Sequence, residues 1–327
     1  MSGVGKGIAS ASIGRILQAR GLKVTAVKID PYINVDAGTM NPIEHGEVYV
    51  TSDGDETDQD IGNYERFLNT NIYRDNYMTT GRVYYSVIER ERNLGYGGKC
   101  VEVVPHIPME VIGRIKRASQ IADADITIVE VGGTVGEYQN ILFLEAARMM
   151  KLNHPGDVLF VLVSYLPLPS KIGEMKTKPT QTASKMLNSA GIQPDFILCR
   201  AKAQLDDVRK KKIEMFANIK HEHVISAPDV SSVYTIPINF ERECLGLKLI
   251  KRLELEAKRV PDWSVWNSLL KNIENPTHEI MIGIIGKYLD IGNYCLQDSY
   301  ISIAEAVKHA AANCATRVTV VWIDAKK

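Results

Sequence analysis

A chain of 327 residues with 45% hydrophobic content is long enough for roughly two domains and a large core. Its formal net charge is zero, so no global field draws it to nucleic acid or to a membrane surface, and any anion must be held by local clusters. Five scattered cysteines form no CxxC pair and no disulfide framework. No secretory signal and no membrane-length apolar run is visible, so the expectation is a cytoplasmic protein.

The chain opens with Gly3-Val4-Gly5-Lys6-Gly7-Ile8, followed by a helical pattern over residues 7–20 that Gly21 terminates. Small residues ahead of a helix allow backbone N–H groups to close around phosphate oxygens, and Lys6 adds a point charge. The loop departs from G-x-x-x-x-G-K-[ST]: Gly7 stands where a magnesium-binding hydroxyl is expected, so magnesium needs another ligand. Such loops normally follow a strand. The expectation is therefore a fragment or a misassigned start.

Val24–Ile29 reads as a buried strand closed by Lys28, whose ammonium either reaches the crevice beyond the strand or sits at the surface paired with Asp30. Residues 30–60 read as an irregular functional loop carrying His45, available to touch a substrate, and the acidic run Asp53, Asp55, Glu56, Asp58 and Asp60. Helical patterns follow near 61–70, 80–92, 108–120, 140–151 and 180–190. Strands are predicted at Ile126–Val129, Val158–Ser164, Phe196–Cys199 and Val224–Ser226. Glu130 closes the first of these, at the end where open α/β sheets bind ligands, and with Asp60 offers carboxylates to a magnesium ion. This alternation predicts an α/β fold with a mostly parallel sheet flanked by helices.

The run Lys176-Thr177-Lys178-Pro179-Thr180-Gln181 gathers two ammonium groups, two hydroxyls and an amide, a donor set suited to a triphosphate, and Lys212 in the run 209–212 adds a cation. A solvated helix face accounts for such basic runs equally well. No histidine, serine or cysteine falls in a hydrolytic arrangement. Residues 255–277 read as a helix and linker. A strand over Glu279–Gly286, a helix over Ser299–Asn313 and a strand over Arg317–Asp324 then begin a second domain, a piece too small to bury a core alone.

Taken in order, Ser2–Ile8, Lys28–Asp36, His45–Val48, Gly62–Phe67, Val104–Ile107, Glu130–Gly136 and Lys176–Gln181 resemble the CTP synthase family over about residues 2–250. Ile282–Tyr288 is similar to the start of its class I glutamine amidotransferase domain. The resemblance implies a P-loop NTPase-like, dethiobiotin-synthetase-like synthetase domain at 1–254, a linker at 255–277 and the first piece of an amidotransferase domain at 278–327. It implies a C–N ligase in which ATP phosphorylates O4 of UTP and ammonia displaces the phosphate to give CTP. The nitrogen comes from glutamine in the full-length enzyme and from free ammonia for this chain.

By the same resemblance, Gly3–Ile8 hold ATP phosphates, with Lys6 and Lys28 catalytic. Asp60 and Glu130 bind Mg2+, and Asp60 also contacts ATP. Pro228, Asp229 and Val230 hold adenine. Ser2, Glu137, Tyr138, Gln139, Lys176, Thr177, Lys178, Pro179, Thr180, Gln181 and Lys212 contact UTP or the feedback inhibitor CTP. GTP as activator and a homotetramer are implied as partners. Glu137-Tyr138-Gln139 departs from the family's Asp-Ile-Glu and puts feedback inhibition in question. A P-loop ATPase switch, a carboxylate ligase of the same fold and a non-catalytic nucleotide-binding fragment are the alternatives.

Overall fold

The computed structural model describes residues 3–170, 173–289 and 297–325. Helix α1 (Lys6–Ala19) starts where Gly5 turns left-handed at φ 86° and buries Ile13, Ile16 and Leu17. Gly21, at φ 86°, ends it as expected, its N–H donating to the Gln18 carbonyl. Strand β1 (Val24–Asp30) is buried along its whole length. Two features then interrupt residues 30–60, which the sequence suggested were irregular. A single-turn helix α2 (Pro42–His45) is capped by Asn41, and β2 (Val48–Val50) pairs with β3 (Glu56–Asp58) as an antiparallel hairpin. Helix α3 (Asp60–Leu68) leaves the end of that hairpin.

Strand β4 (Tyr77–Thr79) was not foreseen: three residues are too few to show a period. Helices α4 (Thr80–Arg92) and α5 (Val103–Ile121) precede β5 (Ile126–Val131), and α5 begins five residues earlier than its pattern suggested, with a bend at Val104. Helix α6 (Ile141–Asn153) leads to β6 (Val161–Tyr165). This strand starts three residues later than read, because Phe160 instead brackets Asp195 through backbone and carboxylate hydrogen bonds. Next come α7 (Lys178–Ser189), β7 (Phe196–Ala201), α8 (Asp207–Ala217), β8 (Val224–Pro228), α9 (Ile236–Arg242), α10 (Leu245–Arg252) and α11 (Ser264–Glu274).

The strands form two parallel three-stranded sheets, β4-β1-β5 and β6-β7-β8. Their shared core is built on Ile16, Leu17, Tyr64, Phe67, Phe196 and Phe240. The parallel register sets Lys28 of β1 beside Glu130 of β5 and Tyr77 of β4. Because paired residues of neighbouring strands point to the same face, this register brings a lysine and a glutamate together at the carboxyl ends of the strands.

At the far end, β9 (His278–Gly286), α12 (Ile301–Asn313) and β10 (Thr316–Asp324) form the forecast βαβ unit, its strands parallel. The unit is tied to the rest: Tyr234 Oη bonds Glu305 at 2.7 Å and His309 at 2.6 Å, and Ser299 Oγ donates to the Pro42 carbonyl. No helix among the described residues is long and apolar enough to cross a membrane.

Candidate functional site

The site grows from the N-terminus of α1. Gly5 contributes no side-chain cap, so the first N–H groups of the helix are not claimed by a side chain. The decisive contact is at Gly7. A Cβ placed there would lie 1.9 Å from Asp60 Oδ1 and 2.5 Å from its carboxyl carbon. The carboxylate of Asp60 therefore occupies the space where a P-loop serine or threonine side chain would stand. Gly7 is accordingly a fitted residue, because any larger side chain there would meet the carboxylate at the start of α3. Serine at position 7 is expected to push Asp60 away and weaken Mg2+ binding about tenfold or more. Mg2+ titration of Gly7→Ser checks this, and unchanged affinity would refute it.

Around Asp60 lies a buried ionic cage centred on Lys28, which is only 5% exposed. Its Nζ bonds Asp60 Oδ2 and Glu130 Oε1, the latter at 3.1 Å, with Asp30 Oδ1 at 3.6 Å and Asp58 Oδ1 at 3.8 Å. Each acid has a second anchor. Tyr64 Oη donates to Glu130 Oε2, Tyr77 Oη to Asp30 at 3.1 Å, Asn63 Nδ2 to Asp60 at 3.1 Å, and the Asp60 N–H to Asp58 at 2.7 Å. His45 Nε2 stands 3.5 Å from Asp58 Oδ2, so α2 delivers that histidine to the cage. Lys28 does lie within 3.6 Å of Asp30, but as a buried group and not as the surface lysine that this pairing suggested.

Burial alone would strip the proton from Lys28, but Glu130, Asp60, Asp30 and Asp58 outweigh it and hold its pKa well above the ordinary lysine value. Burial raises Glu130 and Asp30 against the pull of Lys28. It works the same way on Asp60, but there Lys28 and the hydrogen bonds prevail and the pKa falls. Burial pushes Asp58 up to about 7; Lys28 opposes the rise, and the Asp30 and Asp60 carboxylates add to it.

The consequence for stability has a definite sign. The folded chain retains a proton on Asp58 that the unfolded chain has released above the ordinary carboxylate range. That contribution is complete below the unfolded pKa and disappears as pH rises through about 7. The metal-free melting temperature is therefore expected to fall between about pH 5 and 8, and Mg2+ to reduce the fall. Scanning fluorimetry across that range checks both; a rise would contradict them.

The donors suit a hard divalent cation. Among the described residues Asp30, His45 and Asp58 supply ligand atoms within 4.8 Å of one another, whereas the predicted pair Asp60 and Glu130 converges on the Lys28 ammonium. Oxygen-rich sets of this kind match Mg2+.

A second basic region forms at the N-terminus of α7, where Pro179 occupies the first turn. Glu174 gathers its cations: Lys176 Nζ lies at 2.8 Å, Arg209 Nη2 at 3.3 Å, and Lys212 is close enough, with them, to lower the Glu174 pKa. Lys178 and Lys212 are exposed, whereas Thr177, Thr180 and Gln181 are buried. Thr180 accepts from Ser164 at 2.9 Å and Gln181 donates to Thr177 at 3.0 Å, so these groups build the helix start.

The loop between β5 and α6 joins the two regions. Gly132 packs on the Ile29 carbonyl and Asp30, and Gly136, at φ 95°, packs on Met186 of α7. Within it Glu137 turns back to accept from the Thr134 N–H at 2.9 Å and Gln139 Nε2 at 3.0 Å, leaving Tyr138 97% exposed. Among the described residues, no hydrogen bond or ion pair joins the α7 cluster to the Lys28 cage.

A cleft of about 440 Å3 opens on the other side of α1, lined by Gly5, Ile8, Arg200, Pro228, Asp229 and Val230. Arg200 was missed by sequence reasoning. Its Nη1 donates to the Ala227 and Pro228 carbonyls, both at 3.3 Å, and its Nη2 to Asp229 at 2.9 Å. A lone arginine near the end of an apolar strand carries no motif, so only the fold reveals it. Ser2 lies outside the described residues.

Comparison with known proteins adds a family. The family described as CTP synthase N-terminus matches residues 1–255. The chain is 50% identical over 327 residues to a CTP synthase of Pyrococcus furiosus, covering 100% of this chain and 59% of that protein. It is 46% identical over 328 residues to a CTP synthase of Methanococcus maripaludis and 48% identical over 327 residues to one of Methanopyrus kandleri, covering 100% of this chain and 60% of each relative. The chain thus spans about 60% of the length of the curated relatives it matches.

Proposed function

The chain belongs to the CTP synthase family, and from that premise we propose that it carries the nucleotide-handling half of an ATP-dependent amination of UTP to CTP. The observation that carries the proposal is the contact of Asp60 with Gly7 while Asp60 also bonds Lys28. That contact supports the reading because it sets the first turn of α1 beside the lysine and its carboxylates.

In this reading Gly3–Ile8 and Lys6 hold the ATP triphosphate. The cleft lined by Pro228, Asp229 and Val230 receives adenine, with Arg200 stiffening its wall. Lys176 and the exposed Lys178 and Lys212, with the α7 N-terminus, hold the UTP triphosphate, and Glu137–Gln139 contact the pyrimidine, a role that extends to Ser2 by sequence alone. A carbonyl oxygen is a poor leaving group, so O4 of UTP takes the γ-phosphoryl group and ADP departs. Ammonia then attacks C4, and expulsion of phosphate with loss of protons gives CTP. Lys28 offsets charge on the transferring phosphoryl group, and the rest is positioning of two triphosphates.

Mg2+ held by Asp60 and Glu130 would neutralise phosphate oxygens. Residues 1–254 form the synthetase unit, 255–277 the linker and 278–327 the first part of an amidotransferase unit. Glutamine-derived ammonia, GTP activation, CTP feedback and a homotetramer belong to the whole protein under the same proposal. Glu137, occupied by its own loop, supports weak CTP feedback.

The test is CTP formation by this chain from UTP, ATP, Mg2+ and ammonium, followed by chromatography. ATP turnover that proceeds equally without UTP would sink the proposal in favour of an ATPase switch. Binding of both nucleotides without CTP would leave a binding module.

A further inference from the structure

Lys28 Nζ sits at the point where the carboxylates of Asp60 and Glu130 converge, with Asp30 and Asp58 just beyond. That is the position a divalent cation must approach to touch the same two acids. One ammonium faces four carboxylates, three of them buried and Asp60 partly exposed, so the acids outnumber their cation. An ammonium and a Mg2+ ion compete for these carboxylates, since both draw on the same negative charge and repel each other at close range. Magnesium needs oxygen contacts near 2.0–2.1 Å, so an ion on the same two acids would lie close to the ammonium and be repelled by it. The lysine stem is flexible enough to leave. The phosphate loop is its neighbour, since Gly7 abuts Asp60.

We infer that Lys28 is a placeholder cation: its ammonium neutralises Asp60 and Glu130 in the metal-free chain, and Mg2+ turns it out of the cage toward the phosphate loop. Metal loading and release of Lys28 for phosphoryl contact are then one event, and competition with the ammonium keeps metal affinity low until phosphate oxygens add their own ligands. This rests on the proposed metal-binding role of Asp60 and Glu130.

The test titrates Mg2+ alone, by calorimetry, into the nucleotide-free chain, Lys28→Met and Asp60→Asn. In parallel, acetylation of Lys28 in the unaltered chain is followed by mass spectrometry with and without Mg2+. Lys28→Met is expected to bind Mg2+ about tenfold tighter than the unaltered chain, a difference of about 1.4 kcal/mol. Mg2+ is expected to speed acetylation of Lys28. Binding that requires Asp60 but is no tighter in Lys28→Met overturns the inference and leaves the metal reading standing. No binding by any of the three removes the metal reading and the inference with it. Should Lys28→Met fail to fold, the acetylation experiment decides: a Lys28 that stays protected in saturating Mg2+ refutes the displacement.

Discussion

Replacing Lys28 by alanine is expected to lower CTP formation from UTP, ATP and ammonium by about a thousandfold, the scale of losing a preorganised charge at a developing anion. The same substitution should destabilise the metal-free chain. Asp30, Asp58, Asp60 and Glu130 would be left around an empty space with their shared cation gone. Removing one partner of a buried ionic cluster costs about 3–5 kcal/mol. Some of that cost is relieved by protonation of Asp58, whose pKa of about 7 already lies within reach. The two effects separate in the laboratory. Melting curves with and without Mg2+ report the stability loss, which the metal should partly restore. Single-turnover CTP formation at saturating Mg2+ reports the chemical loss, which it should not. A variant as active as the unaltered chain would remove Lys28 from the reaction.

Asp60→Asn is expected to lower the rate by about a hundredfold or more and to raise the Mg2+ concentration giving half-maximal rate. Asparagine keeps the size of the side chain and the packing against Gly7, so the fold should persist. What it loses is the charge that both Lys28 and a metal require. The informative comparison is with Glu130→Gln, which also removes a carboxylate on Lys28 but stands farther from the phosphate loop and is held by Tyr64. If Asp60 is the acid that links loop and metal, its variant should show the larger shift in Mg2+ dependence. Equal shifts would argue that Gly7 merely accommodates a structural carboxylate.

The legibility of the fold followed the length of its signals. The apolar runs of β1, β5, β7 and β8 and the helices α1, α3, α4 and α6 announced themselves because each carries a continuous or periodic set of apolar side chains. The hairpin β2–β3, the strand β4 and the short helix α2 did not, since three or four residues hold no period. Individual site residues behaved likewise. Lys28 and Glu130 were singled out by their places at strand ends and Asp60 by its acidic run, whereas Arg200 and the inward use of Thr177, Thr180 and Gln181 had no local signature.

By itself, the order of residues determined the alternating α/β class and the phosphate-loop character of the first turn. The collinear motifs that identify the family were equally local. These are properties of neighbouring residues: side-chain period, small residues before a helix, a charge closing an apolar run. Only the tertiary structure decided that four acids separated by up to a hundred positions surround one lysine, because parallel register and the exit of α3 fix which strand ends meet. Only it explained Gly7, whose missing side chain is a vacancy filled by Asp60. Charge clusters and close approaches depend on distance in space, and spacing along the chain does not encode that distance until the strands have paired.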